Sequence, residues 1–179
     1  MKAHESWKWY GYAGHFIGSR SCAYHLATRV GNYLISTVGH YTPAGRQVVP
    51  LGADDDSFFE KFGQAYVTAV YPGVVKGWHY HKKQVDHFCA LKGMIKVVLY
   101  DSRESSPTHG EVNEFFMGEQ NPIVVRIPTY VLHGMKGVGT ELGLLLNLPT
   151  EHYVYDDPDE FRVHPHDNDV PYDWARKDF

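Results

Sequence analysis

From Tyr66 onward, short apolar runs alternate with polar turns, and several runs show the period of two that is typical of β-strands. Turn signals such as Pro72-Gly73 and Gly93 separate the runs. Long amphipathic stretches are missing, so a helix is expected only as a single turn over residues 58–62. The pattern predicts strands over residues 66–71, 74–81, 85–91, 94–100, 112–117, 123–127 and 142–148, with a turn from Pro128 leading to His133. This succession of short strands predicts an all-β sandwich or small barrel.

The two ends of the chain depart from this pattern. Residues 1–50 contain two β-rich runs, over 22–30 and 33–38, and a group of aromatic residues among glycines, namely Trp7, Trp9, Tyr10, Tyr12 and Phe16. We expect residues 1–50 to cover the barrel or to lie at a dimer interface; a stacking platform for a ring is the alternative. Residues 51–179 are expected to form the barrel and an irregular C-terminal tail laid over it. The whole chain is treated as one structural domain.

Composition narrows the functional classes. The 179 residues are 43% hydrophobic and 21% charged, which is ordinary for one globular domain with room for a core. A net charge of -4 without a long Lys/Arg run argues against nucleic acid as the partner. No apolar run approaches the roughly 18 residues of a membrane span, the first residues lack the apolar segment of a signal peptide, and two cysteines make no disulfide framework. We therefore expect a cytoplasmic protein whose main partner is not nucleic acid.

The segment from Gly73 to Gly93, GVVKGWHYHKKQVDHFCALKG, carries the candidate chemistry. His79 and His81 are two residues apart, so their side chains share one face of a strand. Asp86 lies on the next predicted strand, and His133 is the obvious further ligand. Imidazoles and a carboxylate that converge from neighbouring strands predict a site for a divalent metal such as Fe, Mn, Ni or Zn, with no organic cofactor. Histidines that are only hydrogen-bonded within a pocket are the alternative.

The spacing G-x5-H-x-H-x4-D-x6-G within this segment resembles the first motif of the cupin superfamily, with Asp86 where a glutamate is usual. Pro128 and His133 match two positions of the second cupin motif, whereas Tyr130 stands at its glycine and the closing asparagine is missing. The resemblance implies a jelly-roll barrel, the double-stranded β-helix of cupins, with its site inside.

A closer resemblance covers residues 58–174. The segments FGQAYVTAVYPGVVKGWHYH, GMIKVVLYDSRESSPTHGE, IPTYVLHG and PDEFRV resemble the dTDP-4-dehydrorhamnose 3,5-epimerase family of sugar-nucleotide cupins. This resemblance implies a homodimeric epimerase or isomerase that acts on a sugar, such as a dTDP-sugar, in carbohydrate or polysaccharide biosynthesis. By position it makes His79 the base, Asp167 the partner of that base and His133 a second pocket histidine. The candidate substrate-binding residues are Gln64, Lys76, Tyr66 and Arg126.

Three functional positions of the resembled family are replaced in this chain. The family's glutamine after His-Tyr is His81, its enolate-stabilising lysine is Asp86, and its acid tyrosine falls at Asn147, which becomes a catalytic candidate by position. An enolate needs positive charge, and the lysine that supplied it is gone. We therefore interpret the replacements as a shift towards metal ligation by the four residues named above, with Asp167 or a water on the metal moving the proton. A metal-dependent cupin oxygenase and a non-catalytic sugar-binding cupin are the alternatives.

Overall fold

The computed structural model describes residues 60–176, together with the backbone of three N-terminal strands over residues 22–30, 33–41 and 47–48. The aromatic residues noted above, from Trp7 to Phe16, lie outside the described residues, as do the first two residues of the predicted helical turn. Residues 60–62 are irregular, so the helix prediction is wrong for them. The backbone N–H of Gly63 donates instead to the Pro149 carbonyl at 2.9 Å, which draws this segment alongside the C-terminal part of the barrel.

Twelve strands can be described, and they form two antiparallel sheets. Their bounds are β1 (Cys22–Val30), β2 (Tyr33–Tyr41), β3 (Gln47–Val48), β4 (Tyr66–Val70), β5 (Val75–Tyr80), β6 (Asp86–Lys92), β7 (Met94–Tyr100), β8 (Val112–Gly118), β9 (Val124–Ile127), β10 (Leu132–Gly137), β11 (Gly143–Asn147) and β12 (Phe161–Arg162). The seven-stranded sheet has the order β1-β2-β9-β6-β11-β4, with β3 paired to β2, and the five-stranded sheet has the order β12-β5-β10-β7-β8. The predicted all-β barrel is confirmed.

Every strand predicted after residue 65 is present, but two strands in this part of the chain, β10 and β12, were missed. β10 was expected to be a turn because its sequence, LHGMKG, has two glycines and a lysine and little alternation. It nevertheless pairs with both β5 and β7 in the middle of the five-stranded sheet. Its glycines allow close packing, since a Cβ on Gly134 would lie 3.0 Å from the Cα of Gly77 on β5. The two-residue strand β12 belongs to the tail and is too short to give a periodic signal.

Two apolar clusters occupy the two faces of the five-stranded sheet. Alternate residues of β7 show this division, because Val97 and Leu99 belong to the cluster between the sheets and Val98 to the cluster on the outer face. The outer cluster contains Trp78 of β5 and Trp174 of the tail. The tail therefore covers the barrel, as the sequence predicted. Within residues 60–176 no helix has the length and hydropathy needed to cross a membrane.

The turn before β10 contains a tyrosine with left-handed backbone. Tyr130 has a φ of 62°, and its N–H donates to the His81 carbonyl at 2.7 Å. It occupies the place of the motif's glycine, the residue that adopts this conformation at least cost.

We expect Tyr130→Gly to change the free energy of unfolding by less than about 1 kcal/mol. Glycine removes the steric cost of positive φ, but it also gives the unfolded chain more conformational entropy, and the two effects offset each other. Tyr130→Val should lower the free energy of unfolding by about 2 kcal/mol, because β-branched residues tolerate this region poorly. Urea denaturation measures both, and a glycine variant less stable than the valine variant would contradict the expectation.

Candidate active site

Three histidines and one aspartate meet between the two sheets. His79 lies on β5, His81 directly follows that strand, and His133 lies on β10 opposite His79. Asp86 is the first residue of β6 in the facing seven-stranded sheet. All four are buried, and each offers a ligand atom within 4.8 Å of the others'. The structure thus brings together the four residues that the sequence analysis named as metal ligands.

The alternation of β5 explains why two of these histidines share a face. The rings of His79 and His81 lie 5.5 Å apart, centroid to centroid, on the inner side of the sheet. Tyr80 points to the other side and stacks on Phe161 of β12 at 5.1 Å. His133 is brought to the same place by the pairing of β10 with β5, and its ring centroid lies 4.0 Å from that of His79.

Backbone carbonyls fix the orientation of two of the imidazoles. His133 Nδ1 lies 2.9 Å from the Val131 carbonyl, and His81 Nδ1 hydrogen-bonds to the Asp159 carbonyl. A carbonyl can only accept, so Nδ1 is the donor in both rings and the Nε2 of each neutral ring carries a lone pair. Both Nε2 atoms lie 3.2 Å from Asp86 Oδ2. Lone pairs therefore face a carboxylate oxygen, and an additional proton or a cation is needed to bridge them.

The buried polar atoms at this point fit a cation. Asp86 Oδ2 and His133 Nε2 are both buried and have no hydrogen-bond partner. Their 3.2 Å separation brings them close without the alignment of a hydrogen bond. Buried polar atoms are almost always satisfied, so acceptors without a partner that converge on one point suit a bound cation. Imidazole nitrogens anchored through their other N–H, together with a carboxylate, are a donor set that Zn, Fe, Mn or Ni accepts.

The charge states of the cluster follow from its burial and mutual contacts. Complete burial alone would raise the pKa of Asp86, but the adjacent His133 and His81 rings hold that pKa well below its usual range. Burial and the neighbouring His133 lower the pKa of His79 well below its ordinary value. Burial would lower the pKa of His81 as well, but its contact with Asp86 outweighs this and raises it. The site therefore offers one ionised carboxylate and a neutral His79.

Two amides hold the other oxygen of the carboxylate. Asp86 Oδ1 accepts hydrogen bonds from Gln84 Nε2 at 2.6 Å and from Asn147 Nδ2 at 2.8 Å. Asn147 is fully buried, and its Oδ1 accepts the backbone N–H of His87 at 3.1 Å. The sequence analysis gave Asn147 a catalytic role by position, and the structure places its amide against Asp86. Its amide has no proton to give at neutral pH, and its contacts make it a positioning residue for Asp86.

Asp159 of the tail belongs to this site, although the sequence analysis did not identify it. Its carboxylate accepts three consecutive backbone N–H groups, those of Lys82, Lys83 and Gln84, at 3.0, 2.8 and 3.0 Å. Its carbonyl accepts the Nδ1–H of His81. One residue therefore fixes both the loop between β5 and β6 and the ring of a candidate ligand. Only its place in the PDEFRV segment distinguishes it in the sequence.

A cleft of about 180 Å³ opens beside His81. Gln64 and Tyr66, two of the predicted substrate-binding residues, line this cleft. Gln64 Oε1 accepts the Tyr153 backbone N–H at 3.1 Å, and the Tyr66 hydroxyl accepts a hydrogen bond from Asn147 Nδ2 at 2.9 Å. The cleft therefore connects solvent with the residues around Asp86.

The remaining predicted site residues belong neither to the four-residue cluster nor to the lining of the cleft. Arg126 bonds to Glu60, and it pairs in register with His87, on the face of the seven-stranded sheet opposite Asp86. Asp167 is exposed, and its backbone N–H donates to His164 Nδ1 at 2.9 Å. Among residues 60–176 no hydrogen bond or ion pair links it to a histidine of the cluster.

Lys76 is exposed on β5 and does not line the cleft. It lies near enough to His79 that its charge is among the factors that lower the pKa of that ring, after burial and the other site residues. Lys76 and Arg126 therefore lie outside the lining of the cleft, and the roles predicted for them and for Asp167 stay predictions.

Comparison with known proteins identifies a matching family and related folds. The family model for the polysaccharide biosynthesis C-terminal domain matches residues 58–161. A protein of Haloferax volcanii named "Probable low-salt glycan biosynthesis epimerase Agl13" is 46% identical over 69% of this chain and 79% of its own length. The crystal structure of a dTDP sugar isomerase from Desulfovibrio desulfuricans superposes with a TM-score of 0.74 at 30% identity, covering 82% of this chain and 93% of the other.

A more distant structure has the same fold. The dTDP-4-dehydrorhamnose 3,5-epimerase of Elizabethkingia anophelis superposes with a TM-score of 0.71 at 20% identity, covering 87% of each chain. The predicted resemblance to epimerase-like cupins is confirmed by these matches.

Proposed function

We infer the function from the premise that this chain belongs to the polysaccharide biosynthesis C-terminal domain family. It is a sugar epimerase or isomerase of glycan biosynthesis. Two finer statements are our proposal: the substrate is a nucleotide-linked keto-sugar such as a dTDP-sugar, and a divalent metal ion assists the reaction. The observation that supports the second is the convergence of His79, His81, Asp86 and His133 beside an open cleft.

Epimerisation beside a ketone requires removal of an α-proton, stabilisation of the enolate and return of a proton to the other face. The four side chains of the cluster are three imidazoles and one carboxylate, so none of them is a lysine or arginine that could stabilise an enolate. A metal ion held by His81, Asp86 and His133 would act as a Lewis acid that polarises the sugar carbonyl. The chain's own contribution is to orient these ligands through Asp159, Val131, Gln84 and Asn147.

His79 differs from the other two histidines in a way that suits the base. His81 and His133 are each anchored through Nδ1 to a backbone carbonyl, as metal-bound histidines usually are. No such hydrogen bond holds His79 among the described residues, and burial keeps its ring neutral by lowering its pKa. A neutral imidazole can take a proton from carbon. We therefore assign proton removal to His79, although its position also allows it to become a fourth ligand.

The relatives support the choice of substrate and partner. One solved relative is a dTDP sugar isomerase and another a dTDP-4-dehydrorhamnose 3,5-epimerase, so a sugar nucleotide is the substrate class to test first. Homodimerisation and a cytoplasmic location stay predictions from sequence. Size-exclusion chromatography with light scattering tests the first of these.

The test is isotope exchange by the full chain, purified without a histidine tag. In D₂O and with a dTDP-linked 4-keto-6-deoxy sugar, we expect deuterium to enter the carbons beside the ketone and an epimer to accumulate, both followed by NMR. Removal of metal with a chelator should suppress both, and one of Fe, Mn, Ni or Zn should restore them. Full activity in rigorously metal-free protein would overturn the metal proposal.

Oxygen uptake during the same reaction separates this function from a cupin oxygenase, since epimerisation consumes no oxygen. Binding of the sugar nucleotide without deuterium exchange would indicate a sugar-binding protein instead. Either result would contradict the proposed epimerase.

A further inference from the structure

Tyr66 places a phenol where the cleft meets the residues around Asp86. It is the direct partner of Asn147 in the ladder between β4 and β11. The amide Nδ2 of Asn147 donates one hydrogen to the Tyr66 hydroxyl at 2.9 Å and the other to Asp86 Oδ1 at 2.8 Å. Because the hydroxyl accepts the bond from Asn147, its own hydrogen remains available for donation towards the cleft, which Tyr66 lines.

The phenol and the base approach the site from opposite sheets. His79 lies on β5 of the five-stranded sheet, whereas Tyr66 lies on β4 of the seven-stranded sheet. A flat sugar enolate held between the sheets would present one face to each residue. Inversion at carbon needs this geometry, since the proton must leave one face and a proton must arrive at the other.

We propose that Tyr66 is the acid that returns the proton to the inverted face of the sugar. This deepens, and rests on, the epimerase function proposed above. His79 takes the proton from the carbon beside the ketone, and the electrons of the broken C–H bond form the enolate. The O–H bond of Tyr66 then breaks, its proton forms the new C–H bond on the opposite face, and its electron pair remains on the phenolate. Water in the cleft reprotonates the phenolate and takes the proton from His79, so the enzyme returns to its starting state.

The environment of Tyr66 is consistent with this role. Burial, followed by the charge of Asp86, raises the pKa of Tyr66 to about 12, so the phenol keeps its proton throughout the neutral range. Asn147 fixes the hydroxyl from behind and cannot itself serve as an acid. The hydroxyl therefore has a defined position and a proton to give.

Tyr66→Phe tests the proposal by separating exchange from inversion. In D₂O, the variant should form epimer at least about 100-fold more slowly than wild type, because the positioned acid is lost. Deuterium exchange with retention, which needs only proton removal and return from the His79 side, should fall much less. The ratio of exchange to inversion should therefore rise. Tyr71→Phe is the matched control, since Tyr71 directly follows β4 and is 65% exposed, and it should leave the ratio unchanged.

Metal content and the melting temperature of both variants show whether the site and fold persist. A Tyr66→Phe enzyme that inverts its substrate as fast as wild type would overturn the proposal. So would an equal fall in exchange and inversion together with loss of metal, since Tyr66 would then act only through Asn147 and Asp86. A wild-type enzyme with neither exchange nor inversion would overturn the epimerase function itself, and with it this role.

Discussion

Replacing Asp86 by asparagine is expected to lower the rate of epimerisation about 1,000-fold while leaving the fold intact. Asp86 is the single carboxylate of the four-residue cluster, and its Oδ2 lies 3.2 Å from Nε2 of both His81 and His133. The substitution removes the negative charge that compensates a bound cation. It also replaces the oxygen at the centre of the cluster by an NH₂ group, which cannot be a ligand.

The same substitution should not destabilise the metal-free protein. An asparagine at position 86 can keep its Oδ1 as the acceptor for Gln84 and Asn147, at 2.6 and 2.8 Å from Asp86 Oδ1 in the native chain. Its NH₂ group then donates to the two imidazole lone pairs that otherwise face a carboxylate. Every polar atom at this point is satisfied, so the free energy of unfolding without metal should be equal to or above that of wild type.

Elemental analysis, activity and melting temperature with and without added metal measure these effects together. Wild type should melt at a higher temperature when metal is added, and Asp86→Asn should not respond, since a ligand stabilises only the state that binds it. Glu141→Gln is the control, because Glu141 is an exposed acid that pairs with Lys92 at 3.8 Å. An Asp86→Asn protein that retains stoichiometric metal and wild-type activity would refute the assignment.

The residues of the site that lie close together in sequence could be predicted, because their placement depends on the alternation of side chains along a strand. His79 and His81 share a face through the alternation of β5, and Asp86 follows on the next strand. His133 was reached through its spacing from Pro128, although the strand that carries it was missed. Its glycines hide β10 from any pattern of apolar alternation. Close contacts explain them, because a Cβ on Gly134 would meet Gly77 and one on Gly137 would meet the Tyr71 carbonyl.

The contacts between residues far apart in sequence could not be predicted, because they depend on strand pairing and on the path of the tail. Asn147 and Tyr66 are direct partners across β4 and β11, yet they are 81 residues apart in sequence. Asp159 reaches back 78 residues to His81. The resemblance placed a catalytic role at Asn147 by position alone, and a position does not carry over the chemistry of a side chain that has changed.

Replacing Trp174 by alanine is the second large effect that we expect, this time on stability. Trp174 lies in the tail, beyond the segment matched by the family model, yet it is 1% exposed. Its ring packs on Trp78 at a centroid distance of 4.8 Å, and a Cβ on Gly134 would come within 2.9 Å of it. Its carbonyl accepts a hydrogen bond from Lys136 Nζ at 2.5 Å. The substitution leaves a large cavity on the outer face of the five-stranded sheet and should lower the free energy of unfolding by about 3–5 kcal/mol.

Thermal unfolding should register this loss as a fall in melting temperature of about 10 °C for a chain of this size. Trp174→Phe should lose less than half as much, because a smaller ring still fills part of the space. Tyr155→Ala, at a tail residue that is 89% exposed, should change the free energy of unfolding by less than about 0.5 kcal/mol. If Trp174→Ala were as stable as Tyr155→Ala, the tail would not be part of the folded core. The same tail carries Asp159, whose carbonyl orients the ring of His81. The packing of Trp174 therefore also helps to hold the segment that positions this candidate ligand.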